Sequence, residues 1–219
     1  MTYEDATQLT SRIDAGGRMG ADDRFGYRLN LMHGDGERYV ENSNLRRELA
    51  GLALDARLTQ QTLLELNTSR YIYDQTGYPG SFAIGATLAK MPEAPDPTTV
   101  GYGQPFANAK ITSDLYSVRL TQHVNEAWKL TLGLQQQNVL REMRSASNTP
   151  SYLPASDSFN LLASSSTPEG YTQQKLLSNQ IYLNGQFKTG ELAHELVLGS
   201  NGYQNPGYKA ATANNKKVT

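Results

Sequence analysis

The chain has 219 residues, a formal net charge of −1 and no cysteine. Near-neutrality argues against a nucleic-acid partner, which wants a basic face, and the missing cysteines exclude disulfides and thiolate metal sites. No run approaches the roughly 18 apolar residues of a membrane helix, but a barrel strand needs only about 9–11 alternating residues, so the mean hydropathy of −0.56 leaves a membrane barrel open.

Strict alternation of apolar and polar residues marks a strand with two different faces. Eight segments carry it. The first is expected at about 8–17, with Leu9, Ser11, Ile13 and Ala15 against Thr10, Arg12 and Asp14. The second, about 24–33, sets Phe25, Tyr27, Leu29 and Leu31 against Gly26, Arg28 and Asn30. The third, about 45–58, alternates Ala50, Leu52, Leu54 and Ala56 with Gly51, Ala53, Asp55 and Arg57. The fourth, about 62–73, has Leu64 and Leu66 against Glu65, Asn67 and Ser69. Arg70 breaks its register and reads as a bulge or as the end of the apolar part.

A connection of about residues 75–109 follows, with Pro79, Pro92, Pro95, Pro97 and Pro105 and no periodicity. The fifth strand, about 111–124, sets Tyr116, Val118 and Leu120 against Ser117, Arg119 and Thr121. The sixth, about 128–140, sets Trp128, Leu130, Leu132 and Leu134 against Lys129, Thr131, Gly133 and Gln135. Residues 141–174, rich in serine, threonine and proline, read as a second long connection. The seventh strand, about 177–187, sets Ile181, Leu183 and Phe187 against Gln180, Tyr182 and Gln186. The eighth, about 192–203, sets Leu192, His194, Leu196 and Leu198 against Ala193, Glu195 and Val197. Residues 205–219 read as a polar, unstructured tail.

Two regularities favour a membrane wall. Connections alternate short and long, as in outer-membrane barrels with short turns on one side and long loops on the other. The ionised residues, Arg12, Asp14, Arg28, Asp55, Arg57, Glu65, Arg119, Lys129 and Glu195, fall on the polar face. A lipid-facing Arg or Lys at mid-depth costs about 2–4 kcal/mol, so the polar face is expected to line a wet lumen. Tyr27, Tyr116, Trp128 and Phe187 suit interfacial aromatic girdles.

Segments 24–31 (RFGYRLNL), 43–55 (SNLRRELAGLALD), 75–82 (QTGYPGSF), 92–97 (PEAPDP), 185–190 (GQFKTG) and 194–199 (HELVLG) together resemble the barrel of TonB-dependent ferric-siderophore receptors. The resemblance spans about residues 8–203. It implies an all-β, antiparallel, up-and-down transmembrane sheet, an arc of a barrel of about 22 strands. It also implies the Gram-negative outer membrane as the location, membrane lipid and a ferric siderophore as partners, and TonB engaged through segments outside this sequence. No plug domain or signal peptide is visible, so the chain (residues 1–219) is expected to be a partial barrel rather than a whole receptor. Two alternatives stand beside it: an independent eight-stranded outer-membrane barrel, and a soluble ligand-binding β-barrel.

Within that frame Tyr73, Tyr78, Phe82, Tyr102 and Phe106 are the candidate ligand contacts, because aromatic rings suit the flat groups of a chelate. Arg28 and Arg119, with Arg47 and Arg57, could attract an anionic ligand or pair with Asp14, Asp55 and Glu65. Thr99 to Gly103 spells a potassium-filter sequence, but a filter needs walls of membrane helices. His33, His123 and His194 lack metal-ligand spacing, and Asp35 and Glu37 read as a glycine-flanked turn rather than a calcium site. No nucleophile elbow or phosphate loop is present, so no catalytic residue, cofactor or enzymatic activity is assigned.

Overall fold

Among the described residues thirteen strands form: β1 (Thr2–Tyr3), β2 (Leu9–Met19), β3 (Phe25–Asp35), β4 (Asn44–Arg57), β5 (Thr62–Thr76), β6 (Ser81–Phe82), β7 (Asn108–His123), β8 (Trp128–Arg144), β9 (Ala146–Leu153), β10 (Ser158–Ser165), β11 (Tyr171–Thr189), β12 (Leu192–Gln204) and β13 (Lys209–Ala210). The computed structural model describes all residues except 1, 4–6, 78–79, 87, 97, 101, 104–105, 166–170, 207–208 and 211–219. Eight long strands pair with their sequence neighbours in the order β2-β3-β4-β5-β7-β8-β11-β12, every ladder antiparallel.

The register puts every apolar set on one face. Leu54 lies opposite Tyr27 on one side and Leu66 on the other; Leu66 lies opposite Val118, Val118 opposite Leu134 and Leu132 opposite Ile181. A slip of one residue would turn each strand's apolar set to the other face. Here all eight agree, so the alternation is continued across the sheet.

That face covers no protein core. Among the described residues the buried apolar side chains are Val40, Leu45, Ala107 and Ala146, all at the long-connection end of the strands. In mid-sheet Ile13, Leu134 and Ile181 are each more than half exposed. The leucines therefore do not meet in a dry interior, as a soluble barrel requires. A contiguous apolar band of this extent needs a cover that the chain does not supply.

The short connections are built by local polar bonds. Asn125 Oδ1 accepts from the backbone N–H groups of Ala127 and Trp128, both at 2.9 Å, and Thr59 Oγ1 accepts from Gln61 N at 3.1 Å. Where two outward rows cross, Trp128 sits opposite Gly185 and its ring occupies the space a Cβ there would need. Glycine is required by that close approach.

Four expectations change. The ladder runs unbroken through Arg70, which lies opposite Ala50 and Asp114, so Arg70 is no bulge; it marks the end of the apolar band. The long connections carry their own structure. β8 continues to Arg144, β11 begins at Tyr171, and between them β9 and β10 form a hairpin that β6 joins in parallel. Pro150 is tolerated in β9 because β6 pairs only Ser147 and Asn148, leaving the far side of Pro150 without a ladder. In the polar tail, Lys209 and Ala210 pair with Gln173 and Thr172; residues 211–219 lie outside the described ones. Finally, the described strands do not close on themselves: the order runs from β1 to β12 and no ladder joins the two ends. A closed eight-stranded barrel is not what these strands make.

Candidate functional site

The polar face divides by chemistry. Over β2 to β7 it carries ion pairs. Arg28 donates twice to the Asp14 carboxylate, at 2.9 and 2.6 Å; Arg18 reaches Asp55 at 2.7 Å; Arg119 stands 3.9 Å from Glu65 directly across the β5–β7 ladder. Half-exposed pairs of this kind fix side-chain positions more than they stabilise. Between β5 and β12 lies a recess of about 610 Å³ lined by Asn67, Ser117, Gln135, Ser178, Gln180 and Asn201, with Arg119 among them. Amides and hydroxyls offer both donors and acceptors.

At the long-connection end the chain builds a small second sheet. Asn148 is fully buried there and its Nδ2 donates to the carbonyls of Tyr102, at 2.8 Å, and Ser81, at 3.4 Å. Gly80 N donates to Tyr102 O and Ala83 N to Asn148 O. One buried amide thus joins the 77–107 connection to the β9–β10 hairpin, although they leave different strand pairs. Two aromatic pairs sit on this unit: Phe82 with Tyr102, edge to face at 5.1 Å, and Tyr152 with Phe159 at 5.4 Å. Lys90 lies 5.6 Å from the Tyr152 ring and bonds Asp157, which also accepts from the Tyr152 hydroxyl at 2.8 Å. The Lys90 ammonium, and then the Tyr152 hydroxyl, hold the Asp157 carboxyl below its ordinary range; the same carboxylate pushes the Tyr152 phenol up.

Of the residues singled out in the sequence, Phe82 and Tyr102 come together in this unit. Phe106 lies on the same connection, partly exposed. Tyr73 stands on the polar face near the same end of β5, opposite Arg47 and Ile111, its hydroxyl donating to Gln75 Oε1. Tyr78 lies outside the described residues. Arg28 and Arg119 are not part of this group. Along their ladders they fall level with or beyond Asn67, about 20 Å from Tyr73 at some 3.4 Å per residue, and both face carboxylates. Sequence reasoning missed Asn148, Tyr152 and Phe159. The turn composition of residues 154–157 between two alternating runs was a hairpin signal, masked by Pro150 and the serines around it.

No family model matches the chain. It is 28% identical over 127 residues to the ferrichrome receptor FcuA of Yersinia enterocolitica, a match that takes in 58% of this chain and 16% of that protein. The ferric preacinetobactin receptor BauA of Acinetobacter baumannii aligns over 92% of this chain and 29% of its own, with 18% identity and a TM-score of 0.75. The ferric-catecholate import receptor Fiu of E. coli K12 gives 91%, 32%, 18% and 0.75 in the same terms. The ferripyoverdine receptor of the Pseudomonas aeruginosa outer membrane gives 91%, 26%, 16% and 0.76. The chain thus spans a third or less of the proteins it resembles, all of them named as receptors. In sequence and in fold it is similar to ferric-siderophore receptors, and its eight long strands match part of their barrel wall.

Proposed function

We propose that residues 1–219 form one arc of an outer-membrane receptor that takes up ferric siderophores with energy supplied through TonB. The observation that carries this reading is the single-layer sheet: an exposed apolar band on one face, ion pairs and amides on the other, and long connections gathered at one end. A bilayer covers such a band, and a wet lumen suits the opposite face. The likeness to receptors for ferrichrome, ferric preacinetobactin and ferripyoverdine supports a ferric chelate as cargo.

The long-connection end is then the outer mouth. Phe82, Tyr102, Phe106, Tyr73 and Tyr78 would meet the chelate, with Tyr152 and Phe159 beside them, because flat rings offer contact area at low entropic cost. Arg28, bonded to Asp14 deeper in the lumen, and Arg119, facing Glu65 at 3.9 Å there, would organise the wall rather than capture the ligand.

The test is uptake of radiolabelled iron as ferric chelates by iron-starved cells carrying the complete gene, its deletion, or the gene in a strain without TonB. Uptake of at least one chelate should need both the gene and TonB. Unchanged iron uptake in the deletion strain across a panel of hydroxamate and catecholate chelates would overturn the reading.

A further inference from the structure

The outward face carries a shallow groove of about 300 Å³ where its apolar band ends. Ile13, Leu31, Ala50 and Ile72 form the floor, and Ser11, His33, Glu48 and Arg70 stand around it. The register explains the arrangement. Ile13, Leu31, Ala50 and Arg70 lie side by side in one cross-strand row, and Ser11, His33, Glu48 and Ile72 lie in the next. Ala50 is the smallest side chain of its row, so the surface dips between Leu31 and Arg70.

The charges around the dip are unequally matched. Glu48 Oε1 accepts from Arg46 Nε and Nη2, at 2.9 and 2.6 Å, and lies 3.4 Å from His33 Nδ1. Arg70 faces Asp114 at 3.8 Å, beyond hydrogen-bond length, with 62% of its side chain exposed. The Glu48 carboxylate is bonded through Oε1 to Arg46, while the Arg70 guanidinium, 3.8 Å from Asp114, is more loosely held. An Arg fork beside an apolar trough offers N–H donors to an anion arriving from the apolar side.

We propose that this groove seats a membrane lipid with a phosphate-bearing headgroup, its acyl chain along Ile13, Leu31 and Ala50 and its phosphate against Arg70. The inference rests on the assignment of this face to lipid. It adds a built lipid site at the border of the band nearest the long connections, where one lipid is held by charge as well as by burial.

The test uses the full chain in detergent, offered phosphatidic acid or diacylglycerol of the same acyl length, with retained lipid counted by native mass spectrometry. Phosphatidic acid should be retained over diacylglycerol, and Arg70→Gln should weaken its retention about five-fold, the effect of one cation at a lipid surface. Ala50→Phe, which fills the trough and leaves Arg70 in place, should lower retention as well. Equal retention of the two lipids, or indifference to both substitutions, would overturn the proposal. Displacement of the lipid by inorganic phosphate would also overturn it, because the site would then serve a free anion. If the chain takes up no detergent or lipid at all, the assignment of the face itself falls, a result distinct from the others.

Discussion

At the scale of single residues the account turns on which side of a strand a group occupies. Leu66 and Asn67 are neighbours in β5, yet Leu66 belongs to the apolar band and Asn67 to the polar recess. Leu66→Arg should destabilise the membrane-inserted form by about 2–4 kcal/mol, whereas Asn67→Arg should cost far less. Urea titration of the chain refolded into lipid vesicles measures both, and equal costs would contradict the two-faced reading. A second prediction concerns Asp157. Its carboxyl is held below the ordinary range by Lys90 and Tyr152, so the tie contributes at neutral pH and is lost only as pH falls below the ordinary carboxylate range. Limited proteolysis of the β9–β10 hairpin should therefore speed up in acid, and Asp157→Asn should be fast already at neutral pH. A hairpin equally protected at both pH values, or unaffected by the substitution, would remove the role given to this cluster.

Elements bring in packing that alternation alone does not show. Gly185 is required because Trp128 lies over it from the neighbouring strand. Gly185→Val should push the indole aside and cost about 1–3 kcal/mol, the range for overfilling a packed site, seen as a lowered unfolding midpoint. The eight long strands were legible because each keeps a two-residue period against one continuous face, so the apolar pattern and the hydrogen-bonded register agree. Of the two readings of Arg70, the end of the apolar part holds and the bulge does not: the ladder runs on through it, and the strand outruns the band. The β6–β9 pairing was not legible. It joins Ser81 and Phe82 to residues more than sixty positions away through two residue pairs, and a pairing that short leaves no periodicity. For the same reason the sequence gathered Phe82 and Tyr102 as loop aromatics without showing that Asn148 unites their loop with the hairpin. Asn148→Ala should release that union: hydrogen exchange at Ala83, which donates to Asn148 O, should rise while exchange in β7 and β8 stays slow.

At the scale of the whole chain, one sheet stands, in the proposed reading, between two solvents. The ladders on either side of each long strand satisfy its backbone, one face is apolar and the other polar, and the long connections gather at one end. The mouth, the lumen and the lipid groove all depend on that orientation. The chain has a single tryptophan, Trp128, and the register sets it on the apolar face at the start of β8. Its fluorescence in lipid vesicles therefore reports the central claim directly. Brominated acyl chains should quench Trp128 strongly and aqueous iodide weakly. Strong quenching by iodide with none from brominated lipid would mean that the apolar face does not meet the membrane.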